Sequence, residues 1–160
     1  MASNILERTL YFFILIFGVF ILPWPALFGF FSYLIARFPW ALELTIIGVM
    51  LDVLSGLPFG FFSFLFLISL LATEFLRSLF HEQGFFIVLS RGLAAISIFF
   101  ILETAFFGIF QGAATYGNFE FWKEATFSYL TALAVLFLAF IFHWIIVYLV
   151  SYAAKKKDFF

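Results

Sequence analysis

Residues 126–152 form an apolar stretch that carries no Asp, Glu, Lys or Arg, and three lysines follow it at positions 155–157. A helix crosses the ~30 Å hydrocarbon layer of a bilayer with about 20 apolar residues, so this stretch is long enough. The whole chain has the same character, because 66% of its 160 residues are apolar and only 11% are charged. A soluble protein of this size needs more polar surface than that. The sequence therefore predicts a membrane protein and excludes the soluble, disordered and disulfide-scaffold classes.

Charge and composition also narrow the binding partners. The formal net charge is −1, so no basic excess indicates a nucleic-acid partner. The chain has no cysteine and only two histidines, which excludes disulfides, thiolate metal sites and multi-histidine metal cages. We therefore expect no nucleic acid, no metal ion and no cofactor.

Prolines and glycines divide the apolar residues into separate segments. Pro23 and Pro25 each remove a backbone donor and end a helix, and Gly56 with Pro58 permits a fold-back in a run too long for one crossing. The sequence predicts one transmembrane domain over residues 1–160 with six helices, Thr9–Leu22, Ala26–Ala36, Trp40–Leu54, Phe59–Arg77, Phe85–Phe110 and Thr126–Tyr152. The fold class is thus an all-α membrane protein, a six-transmembrane-helix bundle.

The basic residues favour this partition. With six crossings and both termini cytoplasmic, only Lys123 lies outside, and the inner side holds Arg8, Arg37, Arg77, Arg91, Lys155, Lys156 and Lys157. Such an asymmetry is typical of the positive-inside rule. The alternative joins the first two stretches into one proline-kinked helix, giving five crossings and placing Arg8 outside. We favour six, although the second stretch is short.

Ionisable side chains inside a membrane segment indicate a partner that satisfies them. Counting 1.5 Å per residue places Asp52, Glu103 and His143 about 18–20 Å from the inner boundary. We hypothesise that Glu103 and His143 pair across the fifth and sixth helices; alternatively, each bonds only a backbone or hydroxyl group. Glu43 and Glu74 lie near the inner boundary and are interpreted as surface groups.

The segment from residue 48 to residue 60 is the most informative part of the chain. Gly48 and Gly56 lie on one helical face with Asp52 and leave room for another backbone. Pro58 suits the first turn of the next helix, and Asp52 is favourable if the bend aims it at the free N–H groups near Phe59 and Gly60. We therefore predict a self-capping hairpin within the membrane. The alternative is a carboxylate that coordinates a ligand or carries a proton.

Small residues form a stripe on the fifth helix at Thr104, Gly108 and Gly112. Ser128 and Ala132 form a similar stripe on the sixth helix. Such stripes indicate close helix packing, either inside the bundle or against a partner.

The pattern G-x-x-x-D-x-x-x-G-x-P-x-G, formed by Gly48, Asp52, Gly56, Pro58 and Gly60, resembles the signature region of MreD. MreD is an integral membrane component of the bacterial rod-shape machinery, the elongasome. The resemblance implies a non-enzymatic scaffold in the bacterial inner membrane, with a six-helix fold shared with the S-components of ECF vitamin transporters. The implied partners are the bitopic protein MreC, the MreB filament and the glycan polymerase and transpeptidase pair of peptidoglycan synthesis.

Two other functions remain open. The first is a small-molecule-binding, S-component-like subunit of a transporter, whose pocket the deep polar residues would line. Against it, the stretch Thr9–Leu22 has no alanine, whereas S-components usually carry an alanine pair on the first helix for docking. The second is an intramembrane enzyme that uses Asp52 with His143. We expect that the chain is not an enzyme, and its self-association is open.

Overall fold

The computed structural model describes residues 2–58, 60–80, 84–112 and 116–157. Within these ranges the chain forms six α-helices, a 3-10 turn at Leu42–Leu44 before the third of them, and no strand. The helices are α1 (Ala2–Ile21), α2 (Trp24–Arg37), α3 (Thr45–Ser55), α4 (Phe61–Leu79), α5 (Phe85–Gln111) and α6 (Phe119–Lys157). The prediction of an all-helical chain is confirmed.

The first break falls at the predicted prolines. Pro23 precedes α2, and a second proline occupies its first turn, where the missing N–H has no helical partner to lose. The two helices are antiparallel, because the Tyr11 and Tyr33 rings lie 6.1 Å apart and Gly18 lies beside Leu27. The interpretation of one proline-kinked helix is therefore wrong: the proline pair reverses the chain.

Three helical segments in the described part of the chain are long and apolar enough to cross a membrane, Phe61–Leu79, Phe85–Ile109 and Phe119–Tyr148. By contrast, α2 has 14 residues and α3 has 11. They rise only about 21 Å and 16 Å, which is less than the hydrocarbon thickness. The six-crossing count accordingly stays a prediction.

Helix α2 forms the centre of the bundle. Nearly all of its side chains are buried, and its phenylalanines and tyrosine face different helices. Phe31 packs against Phe66 of α4 with ring centroids 4.1 Å apart, and Tyr33 packs edge-on against Phe140 of α6 at 5.0 Å. Aromatic pairs of this kind add to the area that they bury. Because neighbouring helices enclose α2, its short length costs no exposure to lipid.

The closest backbone approach to α2 comes from α6. A Cβ built on Gly29 would lie 3.0 Å from the Cα of Ala132 and would overlap its carbonyl oxygen. Only a glycine lets two helices approach this closely. The predicted small-residue stripe on α6 thus includes one residue, Ala132, that packs inside the bundle.

The helices alternate in direction and give the bundle two ends. The arginine end holds the loops after α2 and α4 and contains Arg8, Arg37, Arg77 and Arg91. The opposite end, called the hairpin end, contains the α3–α4 connection and the start of α6 with Lys123. Helix α1 starts and α6 finishes on the arginine side.

Candidate functional site: the hairpin between α3 and α4

The chain reverses between α3 and α4 at two glycines. Gly56 ends α3 with φ +68° and Gly60 precedes α4 with φ +97°, a left-handed conformation that side chains with a Cβ adopt poorly. Between them, the Pro58 carbonyl accepts a hydrogen bond of 3.1 Å from the N–H of Phe61. The bend therefore forms where the sequence predicts it, and its glycines are required by their backbone angles.

Asp52 caps the start of α4 from across the hairpin. One carboxylate oxygen accepts the N–H of Phe62 at 2.6 Å. The other accepts the N–H groups of Gly60 at 3.1 Å and Ser63 at 3.2 Å, together with the Ser63 hydroxyl. These are the donors that a helix start leaves unpaired, and the helix dipole there favours a negative charge. The predicted self-capping bend is confirmed, while Phe59 lies outside the described residues.

Gly48 provides the close approach that holds the two helices of the hairpin together. A Cβ at this position would lie 2.8 Å from the Cα of Ser63, inside the distance that real Cβ atoms keep from backbone. The absence of a side chain thus brings α3 near enough for Asp52, one turn later, to reach the α4 donors. All five residues of the predicted motif lie in one compact hairpin.

The Asp52 carboxylate is already engaged within the hairpin. The Asp52 side chain is only 3% exposed, and both of its oxygens already accept hydrogen bonds. Within the described residues, no group of three or more His, Asp and Glu side chains is placed to hold a metal ion. His143 lies at the other end of the bundle, so the structure does not assemble the Asp52–His143 pair of the enzyme alternative.

The predicted Glu103–His143 pair does not form. Glu103 lies at the hairpin end in a cavity that Ser128 of α6 also lines. His143 is fifteen positions further along α6, about 22 Å away at 1.5 Å per residue, and its Nδ1 lies 3.4 Å from the Glu7 carboxylate. A depth counted from Lys155 places His143 too deep, because α6 continues to Lys157 beyond the arginine end.

Two residues of the predicted stripe, Thr104 and Gly108, pack against Tyr116, which precedes α6, whereas a Cβ at Gly112 would meet nothing within 4 Å. The Tyr116 hydroxyl donates to the Thr104 carbonyl at 3.1 Å, and Gly108 leaves the space that this ring occupies. Gly112, with φ +87°, follows the last residue of α5. The Trp122 indole N–H then donates to the Tyr116 carbonyl at 2.8 Å. Thr104 and Gly108 therefore pack against Tyr116 of the chain itself.

Substituting Gly108 by alanine should displace the Tyr116 ring from its position against α5. A Cβ at Gly108 would overlap the Tyr116 ring, so the ring has to leave and its hydrogen bond to Thr104 is lost. The lost ring packing and hydrogen bond should exceed the gain of about 1 kcal/mol that alanine brings in a helix, so we expect a net cost of about 1 kcal/mol. It should be measured as a lower midpoint of unfolding in detergent. Tyr116→Phe, which removes only the hydroxyl, should cost less; an equal loss in the two variants would contradict the steric argument.

The arginine end contains contacts that the sequence did not reveal. Arg8 pairs with Glu43 and donates to the Trp40 carbonyl at 3.0 Å. The Trp40 N–H in turn donates to Glu74 at 2.8 Å, and Glu74 also pairs with Arg77. The interpretation of Glu43 and Glu74 as surface groups is therefore wrong, since the contacts of both side chains hold the α2–α3 loop in place. Their partners Arg8 and Trp40 are more than thirty residues away along the chain, so no local pattern indicates them.

Arg77 additionally caps the end of α2. Its guanidinium donates to the carbonyls of Ile35 at 2.7 Å and Ala36 at 3.0 Å, two of the acceptors that a helix end leaves free. A cation is favourable there because it meets the negative end of the helix dipole. The capping at the two ends of the bundle is thus complementary, with a carboxylate at the start of α4 and a guanidinium at the end of α2.

The Arg8–Glu43 pair predicts acid sensitivity at the arginine end. Burial alone would raise the pKa of Glu43, but the hydrogen bond and the charge of Arg8 bring that pKa below its ordinary value. A lowered pKa stabilises the fold above the ordinary carboxyl pKa, and this contribution disappears as the pH falls through the lowered value. The two side chains are 34% and 31% exposed, so we expect about 0.5–1 kcal/mol at neutral pH.

The test compares wild type with Glu43→Gln by thermal unfolding in detergent. Wild type should be more stable at neutral pH, and the two melting temperatures should converge as the solution becomes acidic. Glu120→Gln on the exposed face of α6 is the control, and its melting temperature should follow wild type throughout. A difference between wild type and Glu43→Gln that persists at a pH where Glu43 is protonated in both the folded and the unfolded wild type would contradict the ion-pair explanation.

Comparison with known proteins adds no relative: no family model, curated protein or solved structure matches this chain.

Proposed function

We propose that the chain is a non-enzymatic membrane scaffold of MreD type in the rod-shape machinery. In this role it holds an MreC-like bitopic protein, together with MreB and the glycan polymerase and transpeptidase pair, at the bacterial inner membrane. It crosses the bilayer six times and has both termini in the cytoplasm. The S-component-like arrangement of six helices belongs to the same proposal.

The observation that carries this proposal is the use of the motif residues. The five positions that resemble the MreD signature build the hairpin, and the Asp52 carboxylate is occupied by the donors at the start of α4. An architectural motif is what a scaffold requires. A carboxylate engaged by four donors of its own hairpin supports an architectural role over proton transfer or ion binding.

The surface of the bundle fits a protein embedded in lipid and in contact with other helices. Large apolar side chains are exposed on several helices, and on α6 they recur at helical spacing on one face, at Leu138, Ile141, Phe142 and Ile145. In water such a surface would aggregate. In a bilayer it contacts acyl chains or the transmembrane helix of a partner.

The distribution of basic residues supports the orientation. The arginine end gathers four arginines, and α6 continues past it to the lysines at its end, whereas the hairpin end has Lys123. Under the positive-inside rule, the arginine end faces the cytoplasm. Labelling of single cysteines introduced at Ser3 and at Gly117 should place the first in the cytoplasm and the second outside.

Co-expression with the MreC-like protein of the same organism tests the scaffold role. Extraction in mild detergent should yield a complex that stays together on size exclusion, whereas an unrelated bitopic protein of similar length should not co-elute. Cells depleted of the chain should lose their rod shape, and the wild-type chain should restore it. Failure to retain the MreC-like protein, with the bundle itself folded, would overturn the proposal.

One observation favours a second candidate function, a small-molecule-binding subunit. A cavity of about 570 Å³ lies between α2, α5, α6 and the hairpin, within the range of small-molecule sites. Under this alternative, the same extraction should yield an energising ATPase module instead of a bitopic partner.

A further inference from the structure

The cavity at the hairpin end is lined by both aromatic and acidic side chains. Most of its wall is aromatic or apolar, and its polar groups include two carboxylates. The lining includes Trp24, Phe62, Glu103, Thr104, Glu124 and Ser128. No lysine or arginine contributes to it among the residues that the structure describes. The cavity thus has acidic groups and aromatic faces without a cation of its own.

Glu103 is the lining residue that most favours a bound ligand. Its side chain is only 7% exposed, and it lines the cavity, yet none of the described residues donates a hydrogen bond to it or pairs with it. The nearby Thr104 hydroxyl is directed elsewhere, to the Phe100 carbonyl at 2.7 Å. An ionised carboxyl buried without a partner is costly, so Glu103 either holds a proton or pairs with a cation that enters the site.

The remaining lining indicates which kind of cation fits. A metal ion prefers several oxygen ligands at short distance, whereas no group of three or more His, Asp and Glu among the described residues is placed to hold one, and Glu103 is the one buried carboxylate of the lining. Two of the lining rings, Trp24 and Phe62, lie in contact with each other, with centroids 6.3 Å apart. Aromatic faces attract organic ammonium groups and contact the apolar body that carries them.

The second carboxylate lies where such a ligand would enter. Glu124 is exposed on the first turns of α6 and lines the same cavity. The nearby cation, Lys123, pairs with Glu120 on the outer surface, at 3.3 Å. Glu124 therefore places negative charge at the mouth, and Glu103 places it at the buried end.

We propose that this cavity binds an organic cation, a protonated amine attached to an apolar body, with Glu103 pairing with the ammonium group. The amine belongs either to a free small molecule or to the ethanolamine headgroup of a lipid. The proposal deepens the second candidate function and is independent of the scaffold role, because it concerns the purified chain without any partner.

Isothermal titration of the purified protein in maltoside detergent with phenethylammonium tests the free-amine source. The neutral analogue 2-phenylethanol is the matched ligand control, and we expect it to bind about tenfold more weakly or worse. For the lipid source, the protein is placed in nanodiscs of phosphatidylglycerol with or without phosphatidylethanolamine. Retention of phosphatidylethanolamine is then read by native mass spectrometry.

Three variants distinguish recognition by Glu103 from general effects. Glu103→Gln keeps the shape of the side chain and should weaken binding of the amine about tenfold or more. Ser128→Leu keeps the charge but fills the cavity and should also abolish binding. Glu120→Gln changes a carboxylate outside the cavity and should stay within about twofold of wild type. Circular dichroism and size exclusion confirm that each variant is folded.

Binding of phenethylammonium or of phosphatidylethanolamine supports the proposal if it depends on Glu103. Which of the two binds identifies the source of the amine. Equal binding of 2-phenylethanol, equal binding by folded Glu103→Gln, or no binding of either amine by wild type would overturn it. Because the partner is absent, these outcomes do not depend on whether the chain retains an MreC-like protein.

Discussion

Substituting Asp52 by leucine should destabilise the bundle more than any other single change at the hairpin. The leucine fills much of the same space but leaves three backbone N–H groups and the Ser63 hydroxyl without their acceptor. An unsatisfied buried donor costs about 1–3 kcal/mol, and some of these donors regain water at the bend, so we expect a total of about 3–5 kcal/mol. The measurement is the free energy of unfolding in mixed detergent micelles.

Asp52→Asn separates the charge from the shape. The sequence alone predicts that this variant is tolerated, since an amide oxygen still accepts. In the structure both carboxylate oxygens accept, so the amide nitrogen of the substituted side chain would face an N–H group whichever way the amide is turned. We therefore expect an intermediate loss, about half that of Asp52→Leu.

Ser63→Ala provides the matched control at the same contact. It removes one of the four donors and leaves no buried group unpaired, so its expected cost is about 1 kcal/mol. The expected order of stability is wild type, Ser63→Ala, Asp52→Asn and Asp52→Leu. If Asp52→Leu unfolds at the same detergent concentration as wild type, the cap does not hold the hairpin together.

The sequence predicted the breaks between helices because their causes are local. Pro23 and Pro25 act through their missing donors, and Gly56 and Gly60 act through their backbone angles, all of which are set within a few residues. The capping role of Asp52 follows from the same short segment. A bend that returns a helix next to its predecessor brings residue 52 to the donors ten positions later.

Contacts between segments that are distant in the sequence could not be predicted from local residue patterns. The links from Arg8 to Glu43 and from Glu74 to Trp40 depend on which helices are neighbours and on their rotation. The partner predicted for His143 was wrong for the same reason, because the depth of a residue in the bilayer depends on where its helix meets the headgroups. The unusual shortness of the second stretch was visible in the sequence. Its cause, the enclosure of nearly all of α2 by neighbouring helices, is a tertiary property.

The enclosure of α2 yields the second large prediction, that Gly29→Ala destabilises the bundle by about 2–3 kcal/mol. An alanine is intrinsically better in a helix than glycine by about 1 kcal/mol, so the packing cost has to exceed that gain. It does so because the atom that the new Cβ meets is the backbone carbonyl of Ala132, which cannot rotate away. The two helices must separate, and the aromatic contacts around them loosen. Gly29→Val should be worse.

Two other glycines make this prediction specific to the α2–α6 contact. A Cβ at Gly18 would lie 3.0 Å from the end of the flexible Leu27 side chain, so alanine there should gain helix propensity at little steric cost. A Cβ at Gly117 meets nothing within 4 Å, so Gly117→Ala should leave the unfolding midpoint near that of wild type. Equal midpoints for Gly29→Ala and Gly117→Ala would mean that α2 and α6 are not in backbone contact. A large loss for Gly29→Ala alone would show that a tight backbone contact lies within residues 26–36, the shortest of the predicted crossings.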